Sequence, residues 1–598
     1  MPDKIAIDGF STISGGVDSG STSSTLPVDK ISWATNLSVR NELASPRPSW
    51  VEIASTTNRA KGDPVGAGRF QGALIYKADK VRDSSVLIVS GGVLFRAGPP
   101  DWEFEQVGER WIDPFAERVW MVQAEKYVVV QDGRNTPVIY SPTTVRRAGR
   151  DEVRIGEAMA YCNGRLWTTL PDGRSFVAGD ISRGPSGTAS ERFMDAVLKV
   201  TENDFLAEGG SFSVPDGSGH ITAMAVPAQD GTAPDIGMMV VFTREAAYQV
   251  NLPVDRDAWK DMRSPAIAKI QAGRGCVGGN AWALVNGDVV YRASDGVRSL
   301  KLARRNFETT WTNVCISHEI DRVIGVEEDA HRSLGDVSCA EGDRRWLSTA
   351  WGHPDAYLGT LYDGIVSMQL DAISAMFVQD PPAWEGVWTG LRTHQILAGQ
   401  LDGLEEVLAV VRKRDGGISI LKLHHGIEDV FLDGGRKRIA WSMETRELFS
   451  DTALEPKRLT LLEVSLFDIR TDVDIVVHLQ NNGVGPWVKW GEMKVKVSTE
   501  TCPTPEDPMC GVFTVGAQSR TELRLGTPPD ECVRSLGRPS HTGYSWKVRF
   551  DVTGFCRFKA VRVRANPMTK EVAVECTDET VSIVERSCAF DDRSARII

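Results

Sequence analysis

Between residues 70 and 435 the chain keeps one texture, in which short apolar, β-branched or aromatic runs are repeatedly stopped by a glycine-containing pair. Ala73–Tyr76 is the first run; Val86–Ser90 ends at Gly91-Gly92, Tyr127–Val130 at Asp132-Gly133 and Arg165–Thr169 at Asp172-Gly173. Met238–Phe242 continues the scheme, as do Trp282–Val285 before Asn286-Gly287 and Val289–Arg292 before Asp295-Gly296. Tyr357–Leu361 before Asp363-Gly364 and Val407–Val411 before Asp415-Gly416-Gly417 complete it. Asn-Gly and Asp-Gly supply the positive φ angles of tight hairpins, so these runs are predicted as antiparallel strands. They recur about every 40–60 residues, the period of a β-propeller blade with some long loops. About five to seven blades fit, and a pair of stacked sandwiches is the rival arrangement. Ser190–Val200 and Ile316–Val326 are the best helical candidates.

The texture changes after Gly435. Ile439–Thr445, Arg458–Asp468, Asp472–Leu479, Trp487–Lys496, Val512–Val515, Tyr544–Val552 and Phe558–Ala565 alternate apolar and polar residues. Alternation over that length predicts an antiparallel sandwich with one wet face. At the other end, Ser11–Thr25 is almost entirely Ser, Thr, Gly and Asp and reads as an extended arm. Leu26, Trp33 and Leu37 follow it as candidate assembly anchors on another surface. The expected fold is therefore mainly β: an N-terminal arm and anchor (1–60), a propeller-like domain (61–435) and a C-terminal β-sandwich domain (436–598). Residues 11–25 should bury little within their own subunit and become ordered against a neighbour.

The 598 residues need two to four domains at roughly 100–200 residues each. Glycine, at 56 residues, exceeds the roughly 42 of average usage, which favours strands joined by tight turns. The formal charge of −12 argues against a broad phosphate-gripping surface. Arginine supplies 48 of the 68 basic residues, a hint of assembly, because its planar fork suits interfaces. No apolar leader opens the chain, and no run approaches the roughly 20 apolar residues of a spanning helix. A soluble, intracellularly made protein is expected, without a membrane span.

The ten cysteines show no two-residue spacing of a zinc ribbon. Cys502 and Cys510 bracket a proline-rich loop and are the candidate disulfide. Their Cα atoms must lie within about 7 Å to bridge. No Gly-x-Ser-x-Gly elbow and no phosphate loop occur. His424-His425 are neighbours on a strand end and point apart, while His318 and His353 stand alone. Asp288, Asp295, Asp343, Asp363 and Asp402 sit where turns want aspartate. Trp384 and Trp388 read either as a sugar-stacking platform or as core. No cofactor, no metal and no enzymatic activity are expected.

Several stretches taken together resemble a family of structural tail proteins from short-tailed, podovirus-like bacteriophages. They are Gly15–Gly20, Leu26-Pro27, Trp33–Asn36, Arg47-Pro48, Asn163–Trp167, Gly179–Ile181, Gly184–Thr188 and Asp195–Leu198. Asn251–Asp255, Asn286–Val289, Ser294–Ser299 and Gly386–Gly390 continue in the same order, so the likeness covers roughly residues 15–400. In size and texture the chain is similar to the tail nozzle, or tubular tail protein, of that group. The resemblance implies a virion protein forming a ring of six copies below the portal and adaptor. That ring would contact tail fibres and enclose the DNA exit channel, with roles in genome retention and ejection. An acidic wall would repel phosphates and let DNA slide. A tail fibre or receptor-binding protein, including a glycan-degrading one, is the alternative.

Overall fold

The structure is a computed structural model. It describes residues 6–40, 42–56, 68–78, 84–181, 195–201, 210–227, 237–285, 288–300, 315–322, 347–349, 355–359, 365–369, 383–414, 416–449, 455–483, 486–497, 521–528 and 541–568, with only the backbone course of the strands between 347 and 369.

The glycine pairs do the local work. Asn163 and Gly164 have φ of 52° and 71°, Gly91 and Gly92 57° and 81°, and Asp402 and Gly403 49° and 82°. Two successive left-handed residues make the type I′ turn, whose twist matches the flanking strands. Hairpins close around them: Cys162 pairs with Arg165, Ser90 with Val93 and Leu401 with Leu404.

Among the described residues these hairpins build a β-propeller. Six blades are made of consecutive strands, inner to outer. The first is Phe70–Tyr76, Ser85–Ser90, Val93–Ala97 and Glu105–Gln106; the second is Trp120–Ala124, Tyr127–Gln131, Val138–Tyr140 and Val145–Arg147. The third is Met159–Cys162, Arg165–Thr169, Ser175–Ala178 and Ser211–Ser213; the fourth is Ile221–Ala225, Met239–Thr243, Ala246–Val250 and Ile267–Ala272. Three strands form the fifth (Trp282–Val285, Asp288–Ala293, Gly296–Ser299), and Leu347–Thr349, Asp355–Gly359, Ile365–Gln369 and Ala383–Trp388 form the sixth. A seventh unit, Thr393–Leu401, Leu404–Arg412 and Ile418–His424, takes its fourth strand, Ser49–Ser55, from the start of the chain. Its inner strand then packs on that of the first blade, which closes the ring.

Burial explains why the blade strands read as solid apolar runs. Val86 and Ile88 face the seventh blade, whereas Leu87 and Val89 face the second. In such central strands, as in Tyr127–Gln131 and Met239–Thr243, both faces are dry, so the alternation that marks a half-exposed strand disappears, while outer strands such as Val145–Arg147 stay mostly exposed. Each fully buried aliphatic side chain contributes about 1.5–3 kcal/mol.

The second body is a sandwich built from both ends of the sequence. One sheet runs Thr521–Leu525, Lys457–Phe467, Arg557–Pro567, Leu43–Pro46 and Leu37–Arg40, with Ala6–Phe10 also paired to Arg557–Pro567. The other contains Lys30–Thr35, Ala440–Thr445, Trp546–Thr553, Val473–Asn481 and Val488–Val495. Here alternation is clean, as in Trp546–Thr553, whose residues are alternately buried and half-buried. Lys30–Thr35 also pairs in parallel with blade-six strand Ala383–Trp388, through Val387 and Thr35. One ten-stranded sheet thus runs unbroken from propeller to sandwich.

Two expectations change. The predicted arm lies within its own subunit: Ile13 and Val17 are buried in the sandwich core, and residues 6–55 complete both bodies rather than standing apart. Two apolar side chains at the right spacing suffice, because the Ser and Thr around them stay exposed or half-buried and the buried Asp18 is met by Lys30. The helix candidates shrink to 3₁₀ turns at Asp195–Leu198 and His318–Ile320 within the described residues. Asn286-Gly287, Asp363-Gly364, Val512–Val515, Cys502 and Cys510 lie outside the described residues.

Candidate functional site: the propeller axis and the N-terminal clamp

A propeller offers its axis as the natural cavity. Here that cavity measures about 320 Å³ and is lined from the inner strands of six blades, with Met121, Met159, Met224 and Leu397 among the lining residues. Its polar Gln395 is bound to the chain: Ala73 N donates to Oε1 at 3.1 Å, and Nε2 donates to Ala73 O at 3.2 Å. Lys77, Asn280 and Gln395 give the lining polar groups, but Lys77 is its one titratable side chain among the described residues, so it offers no pair of groups for acid–base work. A duplex, whose major groove alone is about 12 Å wide, cannot pass through it.

Polar chemistry concentrates instead where the N-terminal segment grips the propeller. Glu385, fully buried in the outer strand of blade six, accepts Val39 N at 2.7 Å and Ser38 Oγ at 3.0 Å. Next to it, Gly386 has φ 87°, and a Cβ there would lie 2.3 Å from Ala34 O. Glycine lets the two strands meet. Trp388 Nε1 donates to Leu37 O at 3.0 Å. Asn36, itself left-handed at φ 51°, accepts Thr389 N at 2.7 Å and donates to Ala440 O at 2.9 Å, which joins blade six, clamp and sandwich.

Three ion pairs on two cations complete the clamp. Arg47 donates to Asp429 at 3.0 and 2.7 Å, with both side chains buried, and Asp429 also accepts Trp50 N at 2.9 Å. Lys30 meets Asp18 at 3.3 Å and also Glu319. Burial alone would lower the Lys30 pKa, but the two carboxylates outweigh it and raise it.

The three anchor candidates all engage their own chain. Leu37 is fully buried and Leu26 nearly so; Trp33 packs against the sandwich core with the Arg322 guanidinium 4.7 Å from its ring centre. Trp384 and Trp388 are interior, so they form no sugar platform. Sequence reasoning gave no role to Glu385 or Asp429, and quoted Asn36 and Arg47 only within the stretches that carry the resemblance. The available signal was a lone carboxylate inside the apolar run Ala383–Trp388.

No family model matches this sequence, and no curated protein matches it. Among solved structures it is similar to a chain of "Crystal structure of BBS1N in complex with ARL6DN, soaked with mercury". That match has 10% identity and a TM-score of 0.34, and it covers 63% of this chain and 97% of that one. The fold rests on the protein's own sheets.

Among the described residues, no group of three His, Cys, Asp or Glu is placed to hold a metal ion. No helix there is long and apolar enough to cross a membrane. Two of the turn aspartates are occupied: Asp288 accepts the Ser299 hydroxyl, and Asp295 accepts from Arg274 at 2.8 Å and Arg298 at 2.6 Å, whereas Asp402 is exposed and Asp343 and Asp363 lie outside the described residues. Burial would raise the Asp295 pKa, yet the two arginines overcome it and bring it from 3.8 down to about 2. The stabilisation is fully present above about pH 4 and is lost as pH falls through about 2. Asp295→Asn should therefore flatten the acid limb of a denaturant-midpoint-against-pH curve in that window. An unchanged limb would show that this site does not set it.

Proposed function

We propose that this protein is a structural component of a virion tail, of the nozzle type: a ring of copies around the DNA exit channel. It would be joined to the portal or adaptor on one side and contact tail fibres on the other. One observation carries the reading. The propeller is stapled shut by the strand Ser49–Ser55 and continues through a ten-stranded sheet into a sandwich made from both chain ends. Such a part is stiff, with few places to hinge, and suits a conduit wall that must hold its shape under pressure. DNA would pass through a lumen formed between copies, since the propeller's own axial cavity, of about 320 Å³, is too small to hold a duplex. The chain's −12 charge favours a wall that repels phosphates, within the ~8 Å screening length of physiological salt. No catalytic role is assigned, and the protein would reside in the virion after synthesis in the host cytoplasm. The glycan-degrading alternative loses its aromatic platform with Trp384 and Trp388 buried.

Sedimentation or native mass measurement of the assembled protein should give six copies. Image reconstruction of the particle should place it on the tail axis, with more Asp and Glu than Lys and Arg facing the lumen. Three copies, or an off-axis position, would refute the nozzle and favour a fibre.

A further inference from the structure

The sandwich sheet that begins at Thr521–Leu525 has an outer face whose charge opposes that of the whole chain. On it Arg524, Glu463 and Arg562 lie side by side in register across three strands, and Ile7 sits opposite Arg564. Glu463 is ringed by Arg564 at 2.9 Å, Arg524 at 3.2 Å and Arg562 at 3.9 Å. Arg458 and Lys559 are exposed on the same two central strands. Five cations thus face two carboxylates, Glu463 and Glu522, in a protein of net charge −12. Arg524 and Arg562 are 65% and 58% exposed, and Ile7 is 46% exposed. Exposed ion pairs contribute about 0–1 kcal/mol to stability, so folding alone does not call for three guanidinium groups around one carboxylate. An interface does: the shared Glu463 holds the forks in place, and arginine beside an apolar residue is the composition of protein contacts.

The propeller carries a complement. The hairpin of blade seven has nine-residue strands, longer than the other blade strands, and turns at Asp402-Gly403. Its tip, Asp402, Gly403, Leu404 and Glu405, is exposed throughout, with Leu404 at 62%. Lys422 is engaged by Glu406, and Asp402 and Glu405 have no ion pair among the described residues. The type I′ turn fixes the tip, so little order is lost on docking.

We infer that the Arg524–Arg562–Arg564 face of the sandwich docks the acidic hairpin tip Asp402–Glu405 of a second copy of this chain, with Leu404 against Ile7. Two different patches make a head-to-tail contact, which closes into a ring when the rotation per copy permits. Burying the basic face between copies also keeps arginine out of the lumen. The inference rests on the ring reading above and names the contact that would build it.

Charge reversal tests it on the full-length chain. Arg562→Glu with Arg564→Glu on one variant, and Asp402→Lys with Glu405→Lys on a second, each place like charges face to face. Either variant alone should stay a folded monomer, with assembly weakened at least about tenfold, because like-charge juxtaposition costs several kcal/mol. Mixed one to one, the two should recover the wild-type particle mass, since each reversed patch then meets an opposite one. Circular dichroism and a thermal melt establish that both variants are folded. Wild-type rings that persist in both variants, or a mixture that fails to recover, would overturn this contact while leaving the ring standing. A wild-type chain that stays monomeric at all concentrations would remove the ring reading itself. Salt-sensitive binding of a DNA duplex by the wild type, lost in the arginine variant while rings form normally, would assign the face to phosphates instead.

Discussion

Asp429→Ala should lower folding stability by about 3–5 kcal/mol, because it strands the Arg47 guanidinium in the interior. Arg47 is 4% exposed and Asp429 5%, and the two bonds between them span 382 residues of sequence. The backbone N–H of Trp50 loses its acceptor in the same step. A loss of that size is a large share of the roughly 5–15 kcal/mol that holds a domain folded. Replacing both partners by apolar residues of similar volume should cost much less, since no charge is then left buried. Urea midpoints of the single and double variants decide it. Equal losses in the two would show that packing, not charge, is what Asp429 provides.

Removing residues 1–40 should unfold the sandwich rather than release a trimmed but folded subunit. The deletion takes Ile13, Val17, Ile31, Leu37 and Val39 out of the core, all at or below 1% exposure. At about 1.5–3 kcal/mol each, their loss matches the whole stability of an ordinary domain. It also withdraws Lys30–Thr35, the strand that joins blade six to Ala440–Thr445. Limited proteolysis should cut the truncated chain after residue 440 while the intact protein resists. Equal resistance would mean that the sandwich stands without its N-terminal strands.

Local chemistry made much of this architecture legible. Arg165–Thr169 and Trp282–Val285 were bounded correctly because both ends are set by turn residues, and the long alternating runs after 435 had one wet face to reveal them. The joins were hidden. Ser49–Ser55 pairs with Ile418–His424 across most of the chain, and no local pattern states which distant strand completes a blade. Ser11–Thr25 was misread because its polar composition outweighed Ile13 and Val17, the two side chains that decide its place. Glu385 was overlooked for a related reason: its partners, Ser38 and Val39, are 347 and 346 residues away.

Wrapping one body around another also sets a timetable for synthesis. Lys30–Thr35 leaves the ribosome before the propeller strands from Phe70 onward, yet Ala440–Thr445, which it must pair with, emerges only after them. At about 5–20 residues per second, that delay lasts roughly 20–80 s. Throughout it, Ile31, Leu37 and Val39 have no sandwich core to enter, and their unpaired strand edges are open to other nascent chains nearby. The order of translation therefore favours dilute synthesis or a chaperone that shields the first forty residues, and crowding of polysomes would raise the yield of cross-paired chains.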